Sequence, residues 1–159
     1  MLLQVKKALE LFASDYYSNG WFFKEREAVS VFALGYLSKQ CTDGRKLYHP
    51  AQIGIEFAVP QQKLDPTKHY KAQVCKDVVI WGSPFTSCWD EDWEPVYFPD
   101  MILEWKAHVS GIDQNDKAWL MEYSKKVPDF VGMCVTLNND SLFGIDISDG
   151  RVIGEWRYR

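Results

Sequence analysis

Charged side chains interrupt two apolar segments of this chain. Glu104 and Lys106 lie in the segment 101–109, and Asp77 lies in the segment 74–81; the neighbouring residues in both are mostly apolar. Both segments are predicted strands, and residues two apart on a strand share a face, so Glu104 and Lys106 are expected side by side. An unpaired buried charge is costly, so these residues are expected to have partners or a chemical role.

These three residues suit chemistry on a phosphodiester. Adjacent strands lie about 4.8 Å apart, so Asp77, Glu104 and Lys106 converge if the two strands pair in a suitable register. Mg²⁺ prefers oxygen ligands and binds through one or two carboxylates together with phosphate oxygens. A nearby lysine can hold the attacking water and offset charge on the phosphate. The reaction that this set would serve is metal-assisted hydrolysis.

The elements that must position these residues follow the order α-α-β-β-β-α-β-β-β. Apolar residues at helical spacing predict helices over 2–17 and 22–39, and the second is expected to be buried because its stretch 28–37 is apolar nearly all round. The remaining predicted elements are strands over 51–60, 74–81 and 101–109, a helix ending near Lys126, and strands over 130–137, 142–147 and 151–158. A helix after the third strand lets the chain cross over, so an α/β or α+β sheet is expected.

Over about residues 22–137, this order and its charged residues resemble the PD-(D/E)xK nuclease superfamily. The matching pieces are Lys76-Asp77 and, after the long connection 82–100, Glu104-Trp105-Lys106. Lys76 stands in the position of the proline that names the family, and the connection is longer than is common there. The resemblance implies an α/β fold with a restriction-endonuclease-like αβββαβ core, an extra N-terminal helix and extra C-terminal β-strands.

The resemblance also implies a set of site residues. The catalytic residues would be Asp77, Glu104, Lys106 and Glu27. The ligands of Mg²⁺ or Mn²⁺ would be Asp77, Glu104, the Trp105 carbonyl, Glu27 and Glu56. In this assignment Lys106 positions the attacking water and DNA is the expected substrate. Glu25 is the alternative to Glu27 as the acidic residue at the start of the second helix.

Simpler interpretations stand beside these assignments. Glu27 at a helix start can serve the helix dipole alone, and Glu56 can be an exposed strand residue or an ion-pair partner. The segment 88–95, CWDEDWEP, suggests a second function, in which an inactive nuclease-like fold binds a protein through an acidic-aromatic loop. A small ligand-binding domain with a pocket lined by tryptophan is a third, weaker hypothesis.

Composition narrows the class of protein. The 159 residues fit a single domain, 1–159, and the net charge of −4 argues against a protein coated with basic residues. That charge is compatible with a nuclease, because a bound cation offsets the acidic residues of the site. The four cysteines form no CxxC pair, and neither a membrane span nor a signal peptide is recognisable, so a cytoplasmic protein with reduced thiols is expected. Homodimer formation is compatible with cleavage of both strands of a duplex.

Overall fold

Two helices cover one face of the central sheet and a third covers the other. The computed structural model describes residues 1–62, 64, 67, 69 and 71–159. Helix α1 spans Leu2–Ser18, α2 spans Glu25–Val31 and α3 spans Gln114–Lys126. The described residues include no helix with both the length and the apolar character needed to cross a bilayer.

The second predicted helix is α-helical only in its first part. After α2 the chain continues as a π-helical turn, Phe32–Leu37, and a 3-10 turn, Ser38–Gln40. Gly35 favours a departure from α-helical geometry because glycine has low helix propensity. The stretch 28–37 contributes Ala28, Val29, Phe32, Ala33 and Leu37 to the core, as expected, but it is not buried all round, since Leu34 is 68% exposed.

The sheet has six strands in sequential order, β1-β2-β3-β4-β5-β6. The strands are β1 Ile53–Pro60, β2 Gln73–Ile80, β3 Met101–Ala107, β4 Val131–Leu137, β5 Leu142–Ser148 and β6 Arg151–Tyr158. Among the described strands only β3 and β4 pair in parallel, and α3 makes the crossover between them. The fold is therefore mixed α/β, with a mixed sheet between two helical layers.

Two predicted strands are shorter than expected. The first begins at Ile53 because Pro50–Gln52 forms a 3-10 turn. The third ends at Ala107, before His108, whose φ of 59° is in the left-handed region. The His108 imidazole stacks on the Phe22 ring at 4.2 Å between centroids, and its Nε2 lies 2.7 Å from the Phe23 carbonyl oxygen.

The β2 and β3 strands pair over a short stretch and then separate. Their register runs from Ile80↔Met101 to Val78↔Leu103. Beyond that point β2 continues beside β1, and β3 continues beside β4. We call the opening between Asp77 and Glu104 the β2–β3 fork. It leaves backbone groups on both strands for side chains to satisfy.

Strands β1 and β2 change face at the same level as the fork. On β1, Ile55 packs in the core beneath α1 and α2, whereas Phe57 packs in the core beneath α3. Residues two apart share a face in a regular strand, so the alternation is broken at Glu56, which has a φ of 51°. Asp77 lies opposite Glu56, between the register pairs that flank it. A non-glycine residue in this conformation is strained, and such strain is common at functional sites.

Candidate active site at the β2–β3 fork

Two carboxylates close the fork through reciprocal backbone contacts. The Trp105 N–H donates to Asp77 Oδ2 at 2.7 Å, and the Asp77 N–H donates to Glu104 Oε2 at 3.5 Å. Each carboxylate thus satisfies a backbone group that the separated strands no longer satisfy. The structure places Asp77 and Glu104 together at the fork.

Glu104 is buried and pairs with a lysine. The Lys76 ammonium donates to Glu104 Oε1, and the two side chains are 4% and 6% exposed. Lys76 Nζ also lies 3.7 Å from the centroid of the Trp119 ring on α3, in a cation–π contact. Burial raises the pKa of Glu104 to about 7; Lys76 opposes this rise and Asp77 adds to it.

Lys76 has a place in the site that was not predicted from the sequence. A lysine next to Asp77, in a strand that continues with Val78–Ile80, is a signal that a buried carboxylate lies nearby. The strand pattern alone could not identify that carboxylate, because the pairing depends on how β2 and β3 separate.

Lys106 lies at the more open side of the site. Its ammonium donates to the Trp105 carbonyl at 2.9 Å and lies 3.0 Å from Asp116 Oδ2 and 4.0 Å from Glu25 Oε1. Burial lowers the pKa of Lys106, but Asp116, Glu25 and Asp77 more than offset this, so its pKa is raised. Lys106 is therefore held as a charged hydrogen-bond donor, half-buried among carboxylates.

Two acidic residues near the start of α2 have different positions. Glu25 reaches β3, where its Oε2 accepts from the Ala107 N–H at 3.3 Å. Glu27 instead accepts from the Lys24 N–H at 2.8 Å and caps its own helix. The structure thus brings Glu25 to the cluster and gives Glu27 a local role.

Asp116 is a member of the cluster that the sequence reasoning missed. It lies in the first turn of α3, where Asp113 caps the helix by accepting from the Asn115 and Asp116 N–H groups at 2.8 and 3.0 Å. An acid in a first turn is ordinary for a helix, so only the tertiary contact with Lys106 distinguishes Asp116.

Glu56 lies at the rim of an adjoining cleft and has a cationic partner. Its Oε1 is 2.8 Å from Arg26 Nε in an exposed ion pair. The cleft has a volume of about 340 Å³ and is lined by Arg26, Val29, Ser30, Ile55, Glu56 and Asp77. Asp77 therefore borders both this cleft and the fork.

The donors at the fork match a hard divalent cation in type and charge. Four carboxylates (Asp77, Glu104, Glu25 and Asp116) stand against two ammonium groups (Lys76 and Lys106), a formal excess of two negative charges. Carboxylate and carbonyl oxygens are the ligands that Mg²⁺ prefers. Within the described residues, however, no three His, Cys, Asp or Glu side chains are grouped as a ready metal cage. The donors fit the ion, but each is engaged with a protein group.

The acidic-aromatic loop is partly ordered by its own side chains. Asp90 Oδ1 accepts from the Asp92 and Glu94 N–H groups, both at 2.9 Å. This turn presents Trp93, which is 76% exposed, while Trp89 is more shielded. Trp89, Asp90 and Trp93 of this loop line a groove together with Glu56 of β1 and Gln73 of β2.

Comparison with known proteins finds no relative that would identify the chain. No family model, no curated protein and no solved structure matches it. A functional conclusion therefore depends on the geometry and chemistry of the fork.

Proposed function

We propose that this chain is a PD-(D/E)xK-type nuclease that hydrolyses phosphodiester bonds of DNA with Mg²⁺ or Mn²⁺. The observation that carries the proposal is the meeting of Asp77 and Glu104 at the β2–β3 fork, with Lys106 two residues further along β3. A carboxylate pair beside a charged lysine is a set that can hold a cation and a phosphate at one place.

The strand arrangement supports this proposal. Three antiparallel strands, a crossover helix and a fourth strand parallel to the third agree with the αβββαβ order of a restriction-endonuclease-like core. In the proposed fold, α2 to β4 form that core. Helix α1 and strands β5 and β6 are then the additions at either end of the chain.

Each residue of the cluster has a proposed task. Asp77 and Glu104 would hold the cation, with the Trp105 carbonyl as a further oxygen donor. A bound divalent cation supplies positive charge that stabilises the developing charge on the phosphate. Lys106 would orient the attacking water and donate to a phosphate oxygen, because Asp116 and Glu25 keep its ammonium charged and in place.

Glu25 is our choice for the acidic residue on α2. Its carboxylate lies against Ala107 and Lys106 of β3, whereas the Glu27 carboxylate is engaged by Lys24. Glu56 would act at the rim of the site, where its pairing with Arg26 leaves little net charge. An exposed arginine at this rim suits a contact with the DNA backbone.

Cleavage of supercoiled plasmid tests the proposal. The wild-type chain is expected to nick plasmid with Mg²⁺ or Mn²⁺ and to stop when EDTA is added. Asp77→Asn keeps an oxygen acceptor for the Trp105 N–H but removes the charge, so it is expected to fold and to cleave about 10²–10³-fold more slowly. Glu122→Gln, at an exposed carboxylate that pairs with Lys125 and Lys126, is the control and should retain activity. Cleavage by Asp77→Asn at the wild-type rate would contradict the proposal.

A second function, an inactive fold that binds a protein partner, is favoured by a different observation. Trp93, Phe85 and Tyr97 are exposed beside a run of acidic residues, and Glu104 already has a cation in Lys76. This alternative predicts no cleavage of DNA and no binding of Mn²⁺. It also predicts that the wild type binds a protein partner and that Trp93→Ala does not. Metal-dependent cleavage that Trp93→Ala retains would contradict it.

A further inference from the structure

The Lys76 ammonium contacts the carboxylate of Glu104 at the position where a metal ion would bind that carboxylate. The ammonium contacts one carboxylate oxygen of Glu104, and the other oxygen faces the Asp77 N–H. Both charged side chains are almost fully shielded from water. A divalent cation that bound Glu104 would have to take the place of this ammonium group.

Lys76 compensates the buried charge of Glu104 from within the chain. An unpaired buried carboxylate is costly, and breaking a buried ion pair by removing one partner typically costs several kcal/mol. Lys76 supplies the missing positive charge, and the Trp119 ring stabilises the ammonium from α3. The chain thus carries its own substitute for the cation.

We propose that Lys76 is a displaceable internal counter-ion that sets the affinity of the fork for divalent cations. This inference rests on the proposed function, because it assumes that Glu104 is a ligand. Binding of the cation requires the Lys76 ammonium to leave Glu104. The lysine side chain is long and flexible and can make this move, and an arriving phosphodiester would offer it a new anionic partner.

Calorimetric titration with Mn²⁺ tests the proposal without an activity assay. Three proteins are compared: the wild type, Lys76→Met and the double variant Lys76→Met/Glu104→Gln. Lys76→Met keeps an unbranched side chain but removes the competing charge, so it is expected to bind Mn²⁺ about tenfold more tightly. The double variant is expected to lose this gain. Lys7→Met, at an exposed lysine that pairs with Glu10, is the control and should bind as the wild type does.

The possible results separate this proposal from the proposed function. If the wild type and Lys76→Met bind Mn²⁺ equally, the counter-ion proposal is overturned while the nuclease proposal stands. If neither binds Mn²⁺ and neither cleaves DNA, both are overturned. If Lys76→Met is unfolded without metal, its refolding on addition of Mn²⁺ supports the proposal. Failure to refold under conditions where the double variant is folded overturns it.

Discussion

Removing the Lys76 charge is expected to destabilise the fold strongly in the absence of metal. The two side chains of the Lys76–Glu104 pair are 4% and 6% exposed, so water cannot replace either partner. Loss of one partner from such a pair typically costs about 3–5 kcal/mol. We therefore expect Lys76→Met to lower the free energy of unfolding by about that amount at pH 8 in EDTA.

Urea unfolding of a single and a double variant distinguishes the cost of the unpaired charge from the cost of lost packing. In Lys76→Met/Glu104→Leu both charges are removed together, so most of the lost stability should return. The matched comparison is the exposed pair of Lys7 and Glu10, where Lys7→Met should cost about 0–1 kcal/mol. A loss of less than about 1 kcal/mol in Lys76→Met, or a double variant as unstable as the single one, would refute the reasoning.

Three further predictions concern the cluster around the fork. Lys106→Met should lower the cleavage rate by about 10²–10³-fold while leaving Mn²⁺ binding intact, and loss of binding in calorimetry would contradict its proposed role in holding water and phosphate. The raised pKa of Glu104, about 7 against an ordinary value of 4.5, means that the native state keeps a proton which the unfolded state has released. Stability from this group should therefore fall as pH rises from about 4.5 to 7, and urea unfolding of Glu104→Gln should lack that decrease. Glu25→Ala should reduce cleavage, whereas Glu27→Ala removes the oxygen that accepts from the Lys24 N–H and should mainly reduce stability, by about 1 kcal/mol. Equal cleavage rates for the two variants would count against the choice of Glu25.

The order of elements could be predicted from the sequence because each has a local signal. Helical spacing gave 2–17, where the structure has Leu2–Ser18, and the C-terminal strands are bounded by Asn, Asp and Gly turns. The alternation around Glu104 also places Leu103 and Trp105 in the core beneath α1 and α2, as expected from the strand period.

The departures from prediction arise where tertiary contacts overrule the local pattern. The face switch at Glu56 and Asp77 breaks the two-residue period, and neither residue signals it by type. The π-helical turn after α2 interrupts a segment whose apolar residues fit an ordinary helix. In both places tertiary packing determines the backbone conformation, and the periodicity of the sequence carries no information about that packing.

The partners of the candidate site were the least predictable part. Nothing in the local sequence distinguishes Lys76 or Asp116. Lys76 joins the site by contacting Glu104, which is 28 residues away on β3. Asp116 joins it by contacting Lys106 from the crossover helix. The choice between Glu25 and Glu27 depends likewise on the angle at which α2 meets β3. The residue types indicated the chemistry of the fork, but the structure was needed to show which charged side chains pair with one another there.

The most direct test of the central claim is the single-turnover rate of phosphodiester cleavage with Mn²⁺, measured for the wild type and Asp77→Asn. We predict metal-dependent cleavage by the wild type and a rate about 10²–10³-fold lower for a folded Asp77→Asn. Equal rates for the two proteins, or no cleavage of any DNA by the wild type while it remains folded and metal is in excess, would contradict the assignment of the β2–β3 fork as a nuclease site.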